Sequence, residues 1–168
     1  MLHVCSLADL HETVRILGAS HVLTVMANVD KAQTPPSILQ GNHLRITVDD
    51  VTEAADGFTA PCTQHILQVL NFVRGWDRQA PMVVHCYAGI SRSTASAFAA
   101  ACMLNPHRKE SAIARQIRDA SPIASPNRLM VTLADKALGR DGRMVKALDE
   151  IGPGSMMMMG RPFQVDLD

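Results

Sequence analysis

Apolar residues recur along the chain with two different periods, and each change of period marks an element. Leu2 to Cys5 is a short apolar run; Ser6 then offers an N-cap, and Leu7, Leu10, Val14 and Leu17 recur at helical spacing until Gly18. The segment His21-Val22-Leu23-Thr24-Val25-Met26 is brief and β-branched and predicts a buried strand. Residues 28–41, with Pro35-Pro36, predict a loop, and the alternation of Leu44, Ile46 and Val48 with polar residues predicts a third strand that ends at Asp49-Asp50. Cys62, Ile66, Val69, Val73 and Trp76 then share one face of a helix predicted over 59–76.

The strongest strand signal is Pro81-Met82-Val83-Val84-His85, which runs directly into Cys86. Arg92 to Leu104 follows as a helix of Ala, Ser and apolar residues, so poor in charge that a central, buried position is expected, and Asn105-Pro106 ends it. Further helices are predicted over 109–120, 126–138 and 143–151, and the glycine- and methionine-rich stretch past Gly152 predicts a frayed tail. Strands alternating with helices imply an α/β fold, with a central, mainly parallel sheet flanked by helices. The expected organisation is one domain over 1–151 and a flexible C-terminal tail over 152–168.

Composition narrows the function classes. A chain of 168 residues, 47% apolar, fills one core, and sixteen basic residues balance sixteen acidic ones. Nothing in that balance calls for a nucleic-acid partner. The N-terminus lacks a basic region followed by an apolar run, and no apolar stretch is long enough for a membrane span. Cys5, Cys62, Cys86 and Cys102 show no C-x-x-C pairing, which argues against zinc and against a disulfide framework and for a reducing, cytoplasmic setting. His3, His11, His21, His43, His65 and His107 form no ligand spacing, so no metal and no cofactor is expected.

The chemistry concentrates in His85-Cys86-Tyr87-Ala88-Gly89-Ile90-Ser91-Arg92-Ser93. A loop curling from a strand end into a helix N-terminus points backbone N–H groups and the positive helix end at one spot, which suits a phosphate. Gly89 gives the curl a residue that tolerates positive φ. Arg92, in the first helical turn, can hold two phosphate oxygens with its planar guanidinium, and the same positive surroundings favour a thiolate at Cys86. His85 can order the loop by hydrogen bonding, and Ser93 can donate to the sulfur.

These residues resemble the signature of the protein tyrosine phosphatase superfamily: His-Cys, five residues, then Arg and Ser or Thr. The order of elements, with Ser125-Pro126-Asn127 ahead of a helix, is similar to that of the compact dual-specificity-like members, over residues 1–150. The resemblance implies Cys86 as nucleophile, Cys86 to Arg92 as the phosphate-binding loop, and supporting roles for His85 and Ser93. It also implies an upstream Asp that protonates the leaving oxygen, then activates water against a cysteinyl-phosphate. Asp49 and Asp50 both precede the cysteine; aligning Ile46-Thr47-Val48-Asp49-Asp50 with the family pattern favours Asp50.

The implied activity is that of a protein-tyrosine phosphatase, a phosphoric monoester hydrolase acting on a phosphorylated protein. Dual specificity, a small phosphomonoester or a phosphoinositide are alternatives, the last disfavoured because Tyr87, Ala88, Ile90 and Ser91 are all neutral. A pseudophosphatase that only binds phosphorylated partners conflicts with the intact Cys86 and Arg92; rhodanese-like sulfur transfer conflicts with the loop length. Oligomeric state is left open. Cys62 and Cys102 read as core residues, Arg108, Lys109, Arg115 and Arg118 as a solvated helix face, and Met156 to Met159 as a disordered patch.

Overall fold

The computed structural model describes residues 1–167. Its sheet has the strand order β3-β2-β4-β1-β5. The strands are β1 (Leu2–Cys5), β2 (His21–Val25), β3 (His43–Ile46), β4 (Met82–His85) and β5 (Phe163–Val165). The first four are parallel, as expected; β5 runs antiparallel to β1 and closes that edge. The helices are α1 (Leu10–Leu17), α2 (Thr63–Gly75), α3 (Arg92–Leu104), α4 (Glu110–Ala120), α5 (Arg128–Ala137) and α6 (Arg143–Ile151).

The period-two alternation of the strands divides the core. Leu2, Val4, Leu23, Val25, Met82 and Val84 face α2–α6, while Cys5, Val22 and Val83 face Leu10 and Val14 of α1. Helix α3 lies against β1 and β4, with α2, α4 and α5 around it. Every residue from Arg92 to Cys102 is buried. Its run of alanines lets neighbouring helices approach closely on all sides, and Phe98 fills the remaining volume.

Several boundaries differ from the sequence expectation. Helix α1 begins at Leu10 rather than after Ser6, because the Ser6 hydroxyl donates to Asp9 (2.7 Å) and accepts from the Asp9 amide (3.3 Å), closing a turn ahead of the helix. Helix α2 begins at Thr63, with Cys62 exposed at its N-cap beside His65, so Cys62 is not a core residue. Cys102 is buried, as expected.

The frayed tail expected after Gly152 is also corrected. Gly154 N donates to Ser125 Oγ and Ser155 N to Pro122 O, both at 2.9 Å, and β5 buries Phe163 and Val165 against the sheet. Arg118, expected in solvent, anchors this return by donating to the carbonyls of Ala124, Ile151, Gly152 and Pro153. A local pattern could not reveal this, since Gly154 and Gly160 are set by distant backbone, that of Ile123 and of Gly89, which a Cβ would crowd. No helix among the described residues is long and apolar enough to cross a membrane.

Candidate active site

The loop between β4 and α3 turns five of its carbonyls outward, and each of the five is held by a different residue. Cys86 O lies 3.3 Å from His85 Nδ1. Tyr87 O accepts from Leu7 N (3.1 Å), Ala88 O from Gly160 N (2.8 Å), Ile90 O from Ser125 N (3.0 Å) and Ser91 O from Asn127 N (3.2 Å). In a planar trans peptide the N–H points opposite to the C=O. Fixing these carbonyls outward therefore aims the amides of Tyr87, Ala88, Gly89, Ser91 and Arg92 inward. The Gly89 amide shows the result, since it reaches Cys86 Sγ at 3.3 Å. Gly89 has φ of 73°, and a Cβ there would lie 2.8 Å from the Cys5 carbonyl carbon, so no other residue fits.

Cys86 is 2% exposed and its Sγ is 3.1 Å from Ser93 Oγ, the second residue of α3. Arg92 projects from the first turn of that helix. Its Nη1 donates to Val48 O (2.9 Å), anchoring the side chain under the end of the β3 segment. Its buried Nε has no hydrogen-bond partner among the described residues. A buried guanidinium N–H without a partner is costly. Beside a ring of inward amides and a sulfur, it is a donor suited to an oxyanion.

The two adjacent aspartates differ in where their carboxylates point. Asp49 Oδ2 accepts from Thr59 N (2.8 Å), and the Asp49 amide donates to Thr59 O (2.8 Å), so this residue closes the 49–59 loop on itself. Asp50 points at the 86–91 loop instead. Its Oδ1 accepts from Ser91 Oγ (2.7 Å) and Asn127 Nδ2 (2.8 Å), and its Oδ2 is 3.9 Å from Arg92 Nε. Both hydrogen bonds fall on Oδ1, and Oδ2 has only the longer contact to Arg92.

That cleft, about 510 Å³, is lined by Asp49, Asp50 and Arg92, by Met26, Asn28 and Lys31 on one wall, and by the aromatic rings of Phe58 and Tyr87. Both rings are more than half exposed. They form an apolar rim above the polar floor.

His85 is fully buried and hydrogen-bonded through Nε2 to Thr24 Oγ1 (2.6 Å). Burial pushes its pKa down to about 4, so the ring is neutral at ordinary pH. Sequence reasoning found the loop itself, Asp50 and the Ser125-Pro126-Asn127 segment. It missed Leu7, Gly160, Thr24 and His43, whose contributions are made by backbone amides or through strand pairing and carry no local signature.

Fold and site together define a cysteine-dependent phosphatase architecture of the compact kind. A family model described as protein-tyrosine phosphatase matches residues 24–122, and the chain belongs to that family. A comparison with curated proteins returns no match. Among solved structures, human DUSP28 is similar at 21% identity and a TM-score of 0.61, over 83% of this chain and 88% of that one. The Yvh1 phosphatase domain from Chaetomium thermophilum is similar at 20% identity and a TM-score of 0.62, over 85% and 93%. Human tyrosine phosphatase-like serine/threonine/tyrosine-interacting protein is similar at 17% identity and a TM-score of 0.64, over 83% and 92%. At these identities the likeness is one of fold.

Proposed function

We propose that the protein hydrolyses phosphoric monoesters, with phosphotyrosine on proteins as the preferred substrate class, through a cysteinyl-phosphate intermediate. The observation that supports this most directly is that Asp50 Oδ2 and Arg92 Nε meet in one cleft at the end of the loop whose Gly89 amide turns to Cys86 Sγ. The dianionic phosphoryl group sits in the amide ring, with Arg92 holding two of its oxygens. The Cys86 thiolate attacks phosphorus, the bond to the leaving oxygen breaks, and Asp50 gives that oxygen its proton. Asp50 then takes a proton from water as the water attacks phosphorus, releasing inorganic phosphate and restoring the thiolate. The Ser93 hydroxyl stabilises the departing thiolate by a hydrogen bond across the 3.1 Å contact and keeps its proton.

The aromatic rim of Phe58 and Tyr87 supports an aryl phosphate, because a phenyl ring entering the cleft meets apolar faces on its way to the floor. The deciding experiment compares turnover of phosphotyrosine, phosphothreonine and inositol-phosphate substrates by the wild type. Highest kcat/KM for phosphotyrosine is expected. Equal turnover of phosphothreonine would replace this reading with dual specificity, and no turnover with retained phosphopeptide binding would replace it with a binding protein.

A further inference from the structure

Beneath the loop, three strands carry a continuous line of polar side chains that the reaction itself does not use. Strand register places it there. Thr24 on β2 pairs with Arg45 on β3 and with His85 on β4, and Val22 pairs with His43. Side chains alternate along each strand, so Thr24, His43, Arg45 and His85 emerge on the same face of the sheet.

They are joined without a break. Arg45 Nη2 donates to Thr34 Oγ1 (2.7 Å), and Thr34 Oγ1 is 2.9 Å from His43 Nδ1. His43 Nε2 is 2.7 Å from Thr24 Oγ1, which is 2.6 Å from His85 Nε2. His85 Nδ1 ends the line 3.3 Å from Cys86 O. Thr24 and His85 are wholly buried, and His43 nearly so.

The carbonyl end fixes the direction. A guanidinium only donates and a carbonyl only accepts. With His85 Nδ1–H held by that carbonyl, Thr24 gives its proton to His85 Nε2 and must accept from His43 Nε2. Thr34, which also accepts from Arg45, therefore sends its single proton to His43 Nδ1. Neutral His43 then carries its proton on Nε2 and donates to Thr24. Thr24 passes its own proton to His85 Nε2, and His85 donates from Nδ1 to Cys86 O. The reverse direction would set a bare Nδ1 lone pair against that carbonyl. Every donor is used once, and both histidine tautomers follow.

We propose that Thr24 and His43 are positioning residues for the phosphate loop: their one-way hydrogen-bond chain holds the Cys86 carbonyl outward and so aims the Tyr87 amide at the phosphoryl group. Through Thr34 and the Ala32 carbonyl, to which Arg45 also donates (3.2 Å), the chain joins the loop to the 28–34 wall of the cleft. Wall and floor become one hydrogen-bonded unit. The kinetic consequence rests on the phosphatase reading above; the tautomers do not.

The experiment has two arms. In the first, long-range ¹H–¹⁵N correlation spectra of the wild-type imidazoles at neutral pH should show His85 protonated at Nδ1 and His43 at Nε2. The opposite tautomer or an imidazolium at either ring overturns the proposal, whatever the enzyme's activity. In the second, Thr24→Val and Thr24→Ser are compared in binding of inorganic phosphate and in kcat on an aryl phosphate. Thr24→Val should lose roughly tenfold or more in both, the worth of a hydrogen bond to a charged group, and Thr24→Ser should restore them. Equal behaviour of the two variants overturns the proposal. Should Thr24→Val fail to fold, the wild-type spectra decide. Wild-type protein that shows both tautomers but turns over no phosphomonoester would remove the phosphatase reading alone.

Discussion

Asn127 Nδ2 donates to Asp50 Oδ1 at 2.8 Å, tying the proposed proton donor to the N-cap of α5 across 77 positions of sequence. The same side chain accepts from Met130 N (3.0 Å) and donates to Val51 O (3.2 Å). One residue therefore caps a helix, steadies the 49–59 loop and orients a carboxylate. Asn127→Ala should lose ~1 kcal/mol of stability as a lost cap. Its kcat on phosphotyrosine should fall further than stability explains, while an activated aryl phosphate suffers less. Steady-state kinetics beside thermal melts of the folded variant check both.

Asp50 and Asp49 should separate by leaving group. General acid catalysis contributes ~10²–10⁴-fold, and its loss matters most when the leaving oxygen is a poor one. Asp50→Asn should slow phosphotyrosine hydrolysis strongly and an activated aryl phosphate weakly. Asp49→Asn should act equally on both substrates, because Asp49 closes its own loop through Thr59. A ladder of aryl phosphates of graded phenol acidity measures the contrast.

Cys86→Ser should abolish turnover and retain phosphate binding, since the amides of the loop are aimed by contacts that the substitution leaves in place. Isothermal titration with inorganic phosphate, beside a turnover assay, provides the check. Arg92→Lys should fail in both: an ammonium cannot bond to Val48 O and grip two phosphate oxygens at once.

Removing residues 153–168 should impair both stability and catalysis. It strips β5 from the sheet edge, with buried Phe163, Val165 and Leu167, and it deletes the Gly160 amide that holds Ala88 O. Burying each such side chain is worth ~1.5–3 kcal/mol, so a lowered urea midpoint is expected.

Stability should fall on mild acidification. Burial pushes both His85 and His43 down to about 4, with Arg45 adding to the effect at His43 and His11 at His85. Both rings are neutral in the fold, whereas the unfolded chain takes up protons below its ordinary value of about 6.5. The unfolded state thus binds more protons between those limits. Stability is full above that window and declines as pH drops through it, by up to ~1.4 kcal/mol per pH unit for each ring. Urea midpoints measured through this range should follow that slope, and His43→Gln should flatten it.

The chain's own pattern was enough to reveal the α/β alternation, the buried charge-poor α3 and the run from His85 to Ser93. Each depends on local requirements: side-chain period, a strand end feeding a helix start, a glycine in the curl. Asp50 was legible as one of two neighbours. The family pattern favoured Asp50, and only folding brings Asn127 and Ser91 to its carboxylate and Thr59 to that of Asp49. The tail, Arg118 and the Thr24–His43 line lay beyond local reading. Backbone amides such as those of Leu7 and Gly160 act without regard to side-chain type, and a buried hydroxyl between two imidazoles exists only once strand register sets it there. Sequence singled out the residues proposed to bear the chemistry; the tertiary structure decided what holds them, because loop carbonyls must find their partners wherever the folded chain supplies an amide.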